Sequence, residues 1–311
     1  MQTTNHLLMV RPIRFAFNEE TAGNNAFQQR CDNDEAALAV QQQAVEEFDG
    51  YVELLRSANV TIDVLQDMPE PFTPDSIFPN NCFSTHCDNI EQTGEKIRTL
   101  VFYPMFAQNR RWERDKLRTL LDKMAFDRVV DLTSWEKEGK YLEGTGSLIL
   151  DREHRMAYAC LSPRTSPEVV QAWAEALGYD YFLFDSVDEQ GTPVYHTNVV
   201  MNVGTRIAFV CMESIVDEHQ RETLRALLEE HGKIVVDLTF EQMSRFAGNM
   251  LEVRDDQGKK LLVMSTTACD SLTPEQKALI QEDNMRIVAA HIPAIETAGG
   301  GSARCMIAEI F

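Results

Sequence analysis

The sequence predicts a closed ring of five α/β units with pseudo-fivefold symmetry, and three observations predict it. One order of elements recurs along the chain: turn, strand, hairpin partner, helix, strand. The turns that open these units, at Asn81, Ser147, Asn198, Asn249 and Cys305, are 66, 51, 51 and 56 residues apart. The fifth unit breaks off after its first strand, and the parts it lacks stand at the other end of the chain. Units that bury their apolar faces against neighbours leave no free seam when the two termini share one unit. The competing reading of alternating β and α is a doubly wound parallel sheet. Hairpins between the helices do not suit an all-parallel sheet, so the ring is preferred.

Each element follows in order. LLMVRP reads as a strand, roughly Asn33 to Ser57 as a long helix, and VTIDVL as a strand. SIFPNNCFST and KIRTLVFYP come next, then the helix RRWERDKLRTLLDKM and the strand FDRVVDL. TGSLILD pairs with RMAYACL. Ser166-Pro167-Glu168 then opens a helix with a capping residue, a proline at the first position and an acid in the first turn. VVQAWAEAL carries apolar residues at helical spacing, Gly178 ends it, and YDYFLFD is a strand. HTNVVMNVG and RIAFVCM form the next hairpin, followed by a helix from Asp217 to Gly232 and the strand KIVVDLT. AGNMLEVRD and KLLVMST turn around Asp256 to Gly258, Thr273 to Gln276 is a capping box, and RIVAAHI follows. GGGSARCMIAEIF begins the fifth unit. No linker divides the chain, so residues 1–311 are expected to form one domain closed by pairing of the N- and C-terminal segments.

Composition narrows the function. The 311 residues are 44% hydrophobic and 25% charged, ordinary globular values. A formal charge of −20 repels phosphate backbones, which excludes nucleic acid as a partner. No stretch of 18 apolar residues exists, so no membrane span is expected. The start lacks a basic segment, and its apolar run Leu7 to Val10 is too short for a secretory signal. Seven scattered cysteines without a CxxC pair point to reduced thiols and a cytoplasmic location. A zinc site on Cys82, His86 and Cys87 lacks a fourth ligand at suitable spacing. No metal and no cofactor are expected.

If the units are equivalent, their turns meet at one end of the central axis. The second turn carries Glu143, the third His196 and the last Cys305. A thiol, an imidazole and a carboxylate make the set that nucleophilic thiol catalysis needs. The thiolate is the reactive form, imidazole moves protons, and a carboxylate orients the imidazole. Each residue alone is ordinary; their coincidence at equivalent positions is not.

PDSIFPNN at 74–81, NRRWE at 109–113, LEGTGS at 142–147, HTN at 196–198 and GGGSARCM at 299–306 extend the pattern over nearly the whole chain. In these motifs the sequence resembles the guanidino-group-modifying superfamily. Its members share the pentein fold, a five-bladed α/β propeller, and include arginine deiminases, dimethylarginine hydrolases and amidinotransferases. The opening MVRPIRFAFNEETAGNNAFQ resembles the bacterial amidinotransferase branch that includes citrulline hydrolases of the CtlX type. The resemblance implies Cys305 as nucleophile, His196 as general acid/base and Glu143 as its carboxylate partner. It implies a hydrolase on C–N bonds other than peptide bonds, within arginine metabolism, taking a small guanidino or ureido amino acid.

Two positions depart from the arginine-processing members, which clamp the guanidinium with carboxylates in F-x-x-D and H-x-D. Here these read Phe78-Pro79-Asn80-Asn81 and His196-Thr197-Asn198. LEGTGS also lacks the second acid of the deiminase EGGD. A guanidinium is all donors and wants charged acceptors, whereas an amide can donate to a ureido oxygen and accept from its NH2. Asn81 and Asn198 therefore read either as a clamp for a neutral ureido group or as turn residues, since Asn tolerates left-handed backbone. Arg110 and Arg111 match the family's paired arginines and offer a fork for the substrate carboxylate, with a solvated helix face as the other reading. Asn18, Thr21 and Asn24 lie in a polar loop that reads as a lid. The expected reaction is hydrolysis of citrulline or a related amino acid to ornithine, ammonia and CO2. The alternatives are an arginine-type amidinotransferase or deiminase and, more remotely, a non-catalytic binding protein of the same fold. Homo-oligomerisation is left open.

Overall fold

The strands of the computed structural model, which describes residues 1–89 and 94–311, fall into five three-stranded sheets. β1 (His6–Arg11) and β2 (Thr61–Gln66) run parallel, joined by the helix Asp34–Ser57. The next sheet is β3 (Phe83–Asn89), β4 (Lys96–Phe102) and β5 (Arg128–Asp131). It is followed by β6 (Ile149–Asp151), β7 (Met156–Cys160) and β8 (Asp180–Phe184). Then come β9 (Met201–Val203), β10 (Ile207–Val210) and β11 (Ile234–Asp237). The last complete sheet is β12 (Leu251–Arg254), β13 (Lys260–Ser265) and β14 (Arg286–Ala290).

In each of these four the first two strands form an antiparallel hairpin and the third lies parallel to the second. A parallel neighbour needs a crossover, and a helix supplies it. The first sheet repeats the pattern from two ends of the chain. β15 (Ala308–Glu309) pairs antiparallel with β1, Leu7 opposite Glu309 and Leu8 opposite Ala308. The architecture is the pentein five-bladed α/β propeller. No continuous sheet runs across the described residues, which removes the doubly wound alternative.

The long helices follow the sequence signals with two departures: the helix read over RRWERDKLRTLLDKM is broken at Trp112 into Gln108–Arg111 and Glu113–Leu121, and Ser166 does not act as a cap. Asn33 caps the first long helix by accepting from the Ala36 N–H at 2.9 Å, and Thr273 with Gln276 makes a reciprocal capping box. Ser166 precedes its helix but makes no capping bond; its hydroxyl accepts from the Tyr141 N–H at 2.9 Å, tying down the loop before Glu143. Val169, Val170, Trp173, Ala174 and Leu177 of that helix are buried against the sheet. Fully burying each of the larger side chains contributes roughly 1.5–3 kcal/mol. The short helices Phe240–Ser244, Thr266–Ser271 and Pro293–Gly299 were not readable as periodic segments, because one or two turns carry too little pattern.

The residues before the inner strands are not extended, as an unbroken strand reading implied. Pro79–Asn81, Gly144–Ser147 and Thr197–Val200 each form one helical turn. These turns bond to one another around the axis. Thr145 Oγ1 donates to Asn80 O at 3.3 Å, Thr197 Oγ1 to Ser147 O at 2.5 Å, and Asn249 Nδ2 to Asn198 O at 3.1 Å. The opposite end of the axis is held by Gln2, whose Nε2 donates to Leu150 O at 2.8 Å and Val203 O at 3.0 Å. No helix of the described residues is long and apolar enough to cross a membrane.

Candidate active site

Glu143 and His196 each sit immediately before a helical turn, so both side chains project toward the axis. Glu143 is fully buried and His196 nearly so. Glu143 Oε2 lies 2.8 Å from His196 Nε2, and Oε1 accepts from the Phe106 N–H at 3.0 Å. An ionised carboxylate only accepts, which places the imidazole proton on Nε2 and leaves Nδ1 as a free lone pair. Two glycines make room for this approach. Gly144 has φ +46, and a Cβ there would lie 2.2 Å from Asn80 O. A Cβ at Gly146 would lie 2.6 Å from Asn81 Oδ1 and 2.8 Å from His196 Nδ1.

Two guanidinium groups complete the charge balance. Arg164 Nη1 is 3.5 Å and Arg110 Nη1 3.9 Å from Glu143 Oε2. Burial alone would raise the Glu143 carboxyl, but Arg164, the His196 hydrogen bond and Arg110 outweigh it and hold the group ionised. Burial lowers the His196 imidazole to about 4; Glu143 opposes the shift, and Arg164 and Arg110 reinforce it. At neutral pH the imidazole is therefore uncharged and able to accept a proton through Nδ1.

Cys305 lies in the loop before β15 and is 5% exposed. Its Sγ is 3.4 Å from Asn198 Nδ2 and 3.2 Å from Asn249 Nδ2. The positive-φ residues include Asn59 and Asn284 but not Asn81, Asn198 or Asn249. Left-handed backbone is thus not what these three amides are for. Asn81 Oδ1, Asn198 Oδ1, both amide atoms of Asn80 and Asp75 Oδ1 are buried without a partner among the described residues. An unsatisfied buried polar group costs about 1–3 kcal/mol, so this cluster of open atoms, with Asn198 reaching Cys305, suits a polar ligand.

Arg110 belongs to this cluster and Arg111 does not. Arg110 is 1% exposed, donates to Glu113 and to Phe78 O at 3.0 Å, and stands 3.9 Å from Asp75. Arg111 points elsewhere, donating to Met105 O at 3.0 Å and Phe106 O at 3.3 Å. Sequence reasoning missed Arg164, which comes from the loop after β7 and stacks over Tyr195 at 4.7 Å. It also passed over Asp75, although the residue lies inside PDSIFPNN. Burial raises the Asp75 carboxyl, and Arg110, the Asn18 bond and Arg164 pull it back only partly. The signal for both residues is burial of a charge, which no local pattern displays.

The polar N-terminal loop covers the cluster. Asn24 Oδ1 accepts from Arg164 Nε at 2.9 Å, and Asn18 Nδ2 donates to Asp75 Oδ2 at 2.7 Å. Gln28 Nε2 donates to Gly299 O at 3.1 Å, six residues before Cys305. A cleft of about 530 Å³ is lined by Phe27, Phe246 and Glu296 among others. Its walls carry none of Glu143, His196 or Cys305.

Among the described residues, Asp151, His154 and His231 form the one grouping of metal-ligating types. Lys233 Nζ already stands 3.0 Å from Asp151 Oδ2, and the two imidazoles stack in parallel planes with centroids 4.5 Å apart. Parallel rings do not aim their nitrogen lone pairs at one point. Cys82 donates to Glu113 Oε2 at 2.8 Å, and His86 pairs with Ser84 Oγ at 2.8 Å, so these two side chains serve other partners.

A family model described as N,N dimethylarginine dimethylhydrolase, eukaryotic, matches residues 11–311. No curated protein matches the chain in sequence. Among solved structures, the substrate-bound N-terminal domain of ArgZ, a cyanobacterial arginine dihydrolase of the ornithine-ammonia cycle, is similar with a TM-score of 0.74. The two are 16% identical, over 98% of this chain and 97% of that one. AgrE in complex with L-arginine gives a TM-score of 0.75 at 14% identity, over 98% of this chain and 40% of that one. DDAH from Pseudomonas aeruginosa, complexed with citrulline, gives 0.68 at 14% identity over 100% of both chains.

Proposed function

The chain belongs to the N,N dimethylarginine dimethylhydrolase family, hydrolases of C–N bonds other than peptide bonds, and from that premise we propose that it hydrolyses the ureido group of citrulline or a close analogue. The observation that carries this reading is a set of buried, unpartnered amide atoms: Asn198 Oδ1, whose own Nδ2 stands 3.4 Å from Cys305 Sγ, with Asn81 Oδ1 and both amide atoms of Asn80. A neutral ureido group offers one carbonyl oxygen and N–H donors, and amides answer both. A cationic guanidinium buried against amides alone lacks the counter-charge that offsets its desolvation.

The charged groups suit the other end of an amino acid. Asp75 Oδ1 is an open acceptor for an α-ammonium. In this reading Arg110 and Arg164, whose Nη1 atoms flank Glu143 Oε2 at 3.9 and 3.5 Å, also answer the substrate α-carboxylate. Arg111 has no part in this reading.

His196 Nδ1 takes the Cys305 proton, and Sγ attacks the ureido carbon. As the tetrahedral intermediate collapses, the C–N bond to the δ-nitrogen breaks, and His196 returns the proton to that nitrogen. Ornithine leaves, and a carbamoyl group stays on sulfur. Water, losing its proton to His196, attacks the carbamoyl carbon. The C–S bond breaks with the proton returned to sulfur, and the released carbamic acid decomposes to ammonia and CO2. Glu143 keeps the Nε2 proton in place and stabilises the imidazolium formed in each half.

One observation favours a second reading. The open Asp75 oxygen is an acidic acceptor, and a guanidino group placed against it would find a counter-charge. Arginine or a methylated arginine would then be the substrate. Ornithine, citrulline and amine release from purified protein given citrulline, arginine or dimethylarginine separately decides between them. Ornithine from citrulline alone supports the ureido reading; turnover of the guanidino compounds alone overturns it. All seven cysteines are unpaired, which supports a reducing cytoplasmic setting; finding the native protein in a secreted fraction would refute that.

A further inference from the structure

We propose that Asn249, on the fourth turn, is a positioning residue that fixes the Cys305 side chain for attack and stabilises its thiolate relative to its thiol. This rests on the reading of Cys305 as nucleophile.

Asn249 is 1% exposed, and its amide faces three groups. Nδ2 stands 3.2 Å from Cys305 Sγ and 3.1 Å from Asn198 O. Oδ1 accepts from the Arg304 N–H at 3.0 Å and lies 3.6 Å from Sγ. One side chain therefore holds the backbone just before Cys305, the sulfur itself and the neighbouring turn. Its backbone is not left-handed, so an ordinary turn preference does not account for an asparagine here.

The two amide atoms face the two states of the sulfur differently. A thiol can direct its S–H toward Oδ1. Once the proton has gone to His196, the N–H of Asn249 remains, with Asn198 Nδ2 at 3.4 Å as a second donor. A hydrogen bond to an ionised acceptor is worth more than one to a neutral acceptor, so donors on sulfur favour the thiolate. Ring closure produces this arrangement: the last turn, which carries the thiol, comes to lie against the third and fourth turns, which carry the amides.

The test reads Cys305 without substrate. Trypsin cleaves after Arg304 and releases Cys305–Phe311, which contains no Lys or Arg, so alkylation by iodoacetamide can be followed at this cysteine alone by mass spectrometry. Rates are measured across pH for the intact wild-type protein, Asn249→Asp and Asn249→Ser. Asn249→Asp keeps the volume and the acceptor for Arg304 but replaces the Nδ2 donor with a carboxylate oxygen. The Cys305 profile is expected to move about one pH unit upward in this variant, with alkylation about tenfold slower at pH 7. Asn249→Ser is expected to shift it in the same direction by less. The half-buried Cys31 and Cys87 in the same digest should keep their profiles.

An unchanged Cys305 profile in a folded Asn249→Asp protein overturns the proposal. Should that variant not fold, seen as every cysteine alkylating alike, Asn249→Ser decides by the same criterion. Failure here is separable from failure of the nucleophile reading. Turnover that survives Cys305→Ala removes the nucleophile without moving any alkylation profile.

Discussion

Glu143 and His196 meet through one hydrogen bond, Oε2 to Nε2 at 2.8 Å, with Arg164 and Arg110 flanking the same carboxylate oxygen at 3.5 and 3.9 Å. A single oxygen thus orients the imidazole and balances two buried cations. Replacing Glu143 by Gln keeps the shape and removes the charge. The kcat of this variant is expected to fall by about 10²–10⁴-fold, the range for a lost orienting partner of a catalytic imidazole. Steady-state kinetics on folded Glu143→Gln would show it; activity within a few-fold of wild type would contradict the assigned role.

The buried imidazole also predicts a pH signature. The folded state holds His196 at about 4, below the ordinary 6.5, so the unfolded chain takes up the proton first as pH falls. The stability this group contributes is complete above 6.5 and is lost between 6.5 and 4. Glu143 is also held low in the fold, and its contribution is lost only below the ordinary carboxylate value of 4.5. Melting temperature against pH should therefore fall less steeply between 6.5 and 4 in His196→Gln than in wild type. Equal slopes would count against a neutral buried imidazole.

The two candidate arginine pairs separate cleanly by mutation. Arg164 and Arg110 lie in the buried cluster, and Arg111 bonds to carbonyls outside it. Arg164→Ala is expected to lower kcat/KM by about 10- to 100-fold, the worth of a charge-assisted hydrogen bond, with Lys only partly restoring it. Arg111→Ala is expected to stay within a few-fold. The reverse ranking would move the carboxylate site.

Gly146→Ala introduces a methyl group 2.6 Å from Asn81 Oδ1 and 2.8 Å from His196 Nδ1. Overpacking of this kind costs about 1–3 kcal/mol of stability. Because the crowded atoms belong to the site, kcat should fall far more than the melting point suggests. Wild-type kcat in a folded Gly146→Ala protein would show that the imidazole does not work where it now sits.

The repeat was legible because each unit is punctuated locally: Asn33 and Thr273 at helix starts, Gly178 at a helix end, hairpins between them. Such signals act within a few residues and survive in one dimension. The convergence of turns 51 to 66 residues apart followed from that repeat, which is why Glu143, His196 and Cys305 could be singled out together. Arg164 and Asp75 could not be, since an arginine in SPRTS and an aspartate in PDSIF look like ordinary loop polarity until burial sets them beside one another. Ser166 shows the converse. Its local grammar reads as a cap, but tertiary contact with Tyr141 claims the hydroxyl. Asn249 was visible only as a turn equivalent to Asn198; its bond to the sulfur depends on how the ring closes.

The proposed reaction passes through a covalent carbamoyl group on Cys305. Rapid acid quenching during turnover of citrulline labelled with ¹³C at the ureido carbon, followed by tryptic digestion, tests it most directly. The label is expected as a carbamoyl mass increment on the peptide Cys305–Phe311, absent in Cys305→Ser and accumulating when release is slowed. Turnover with no label on that peptide, or with the label on another residue, would contradict it.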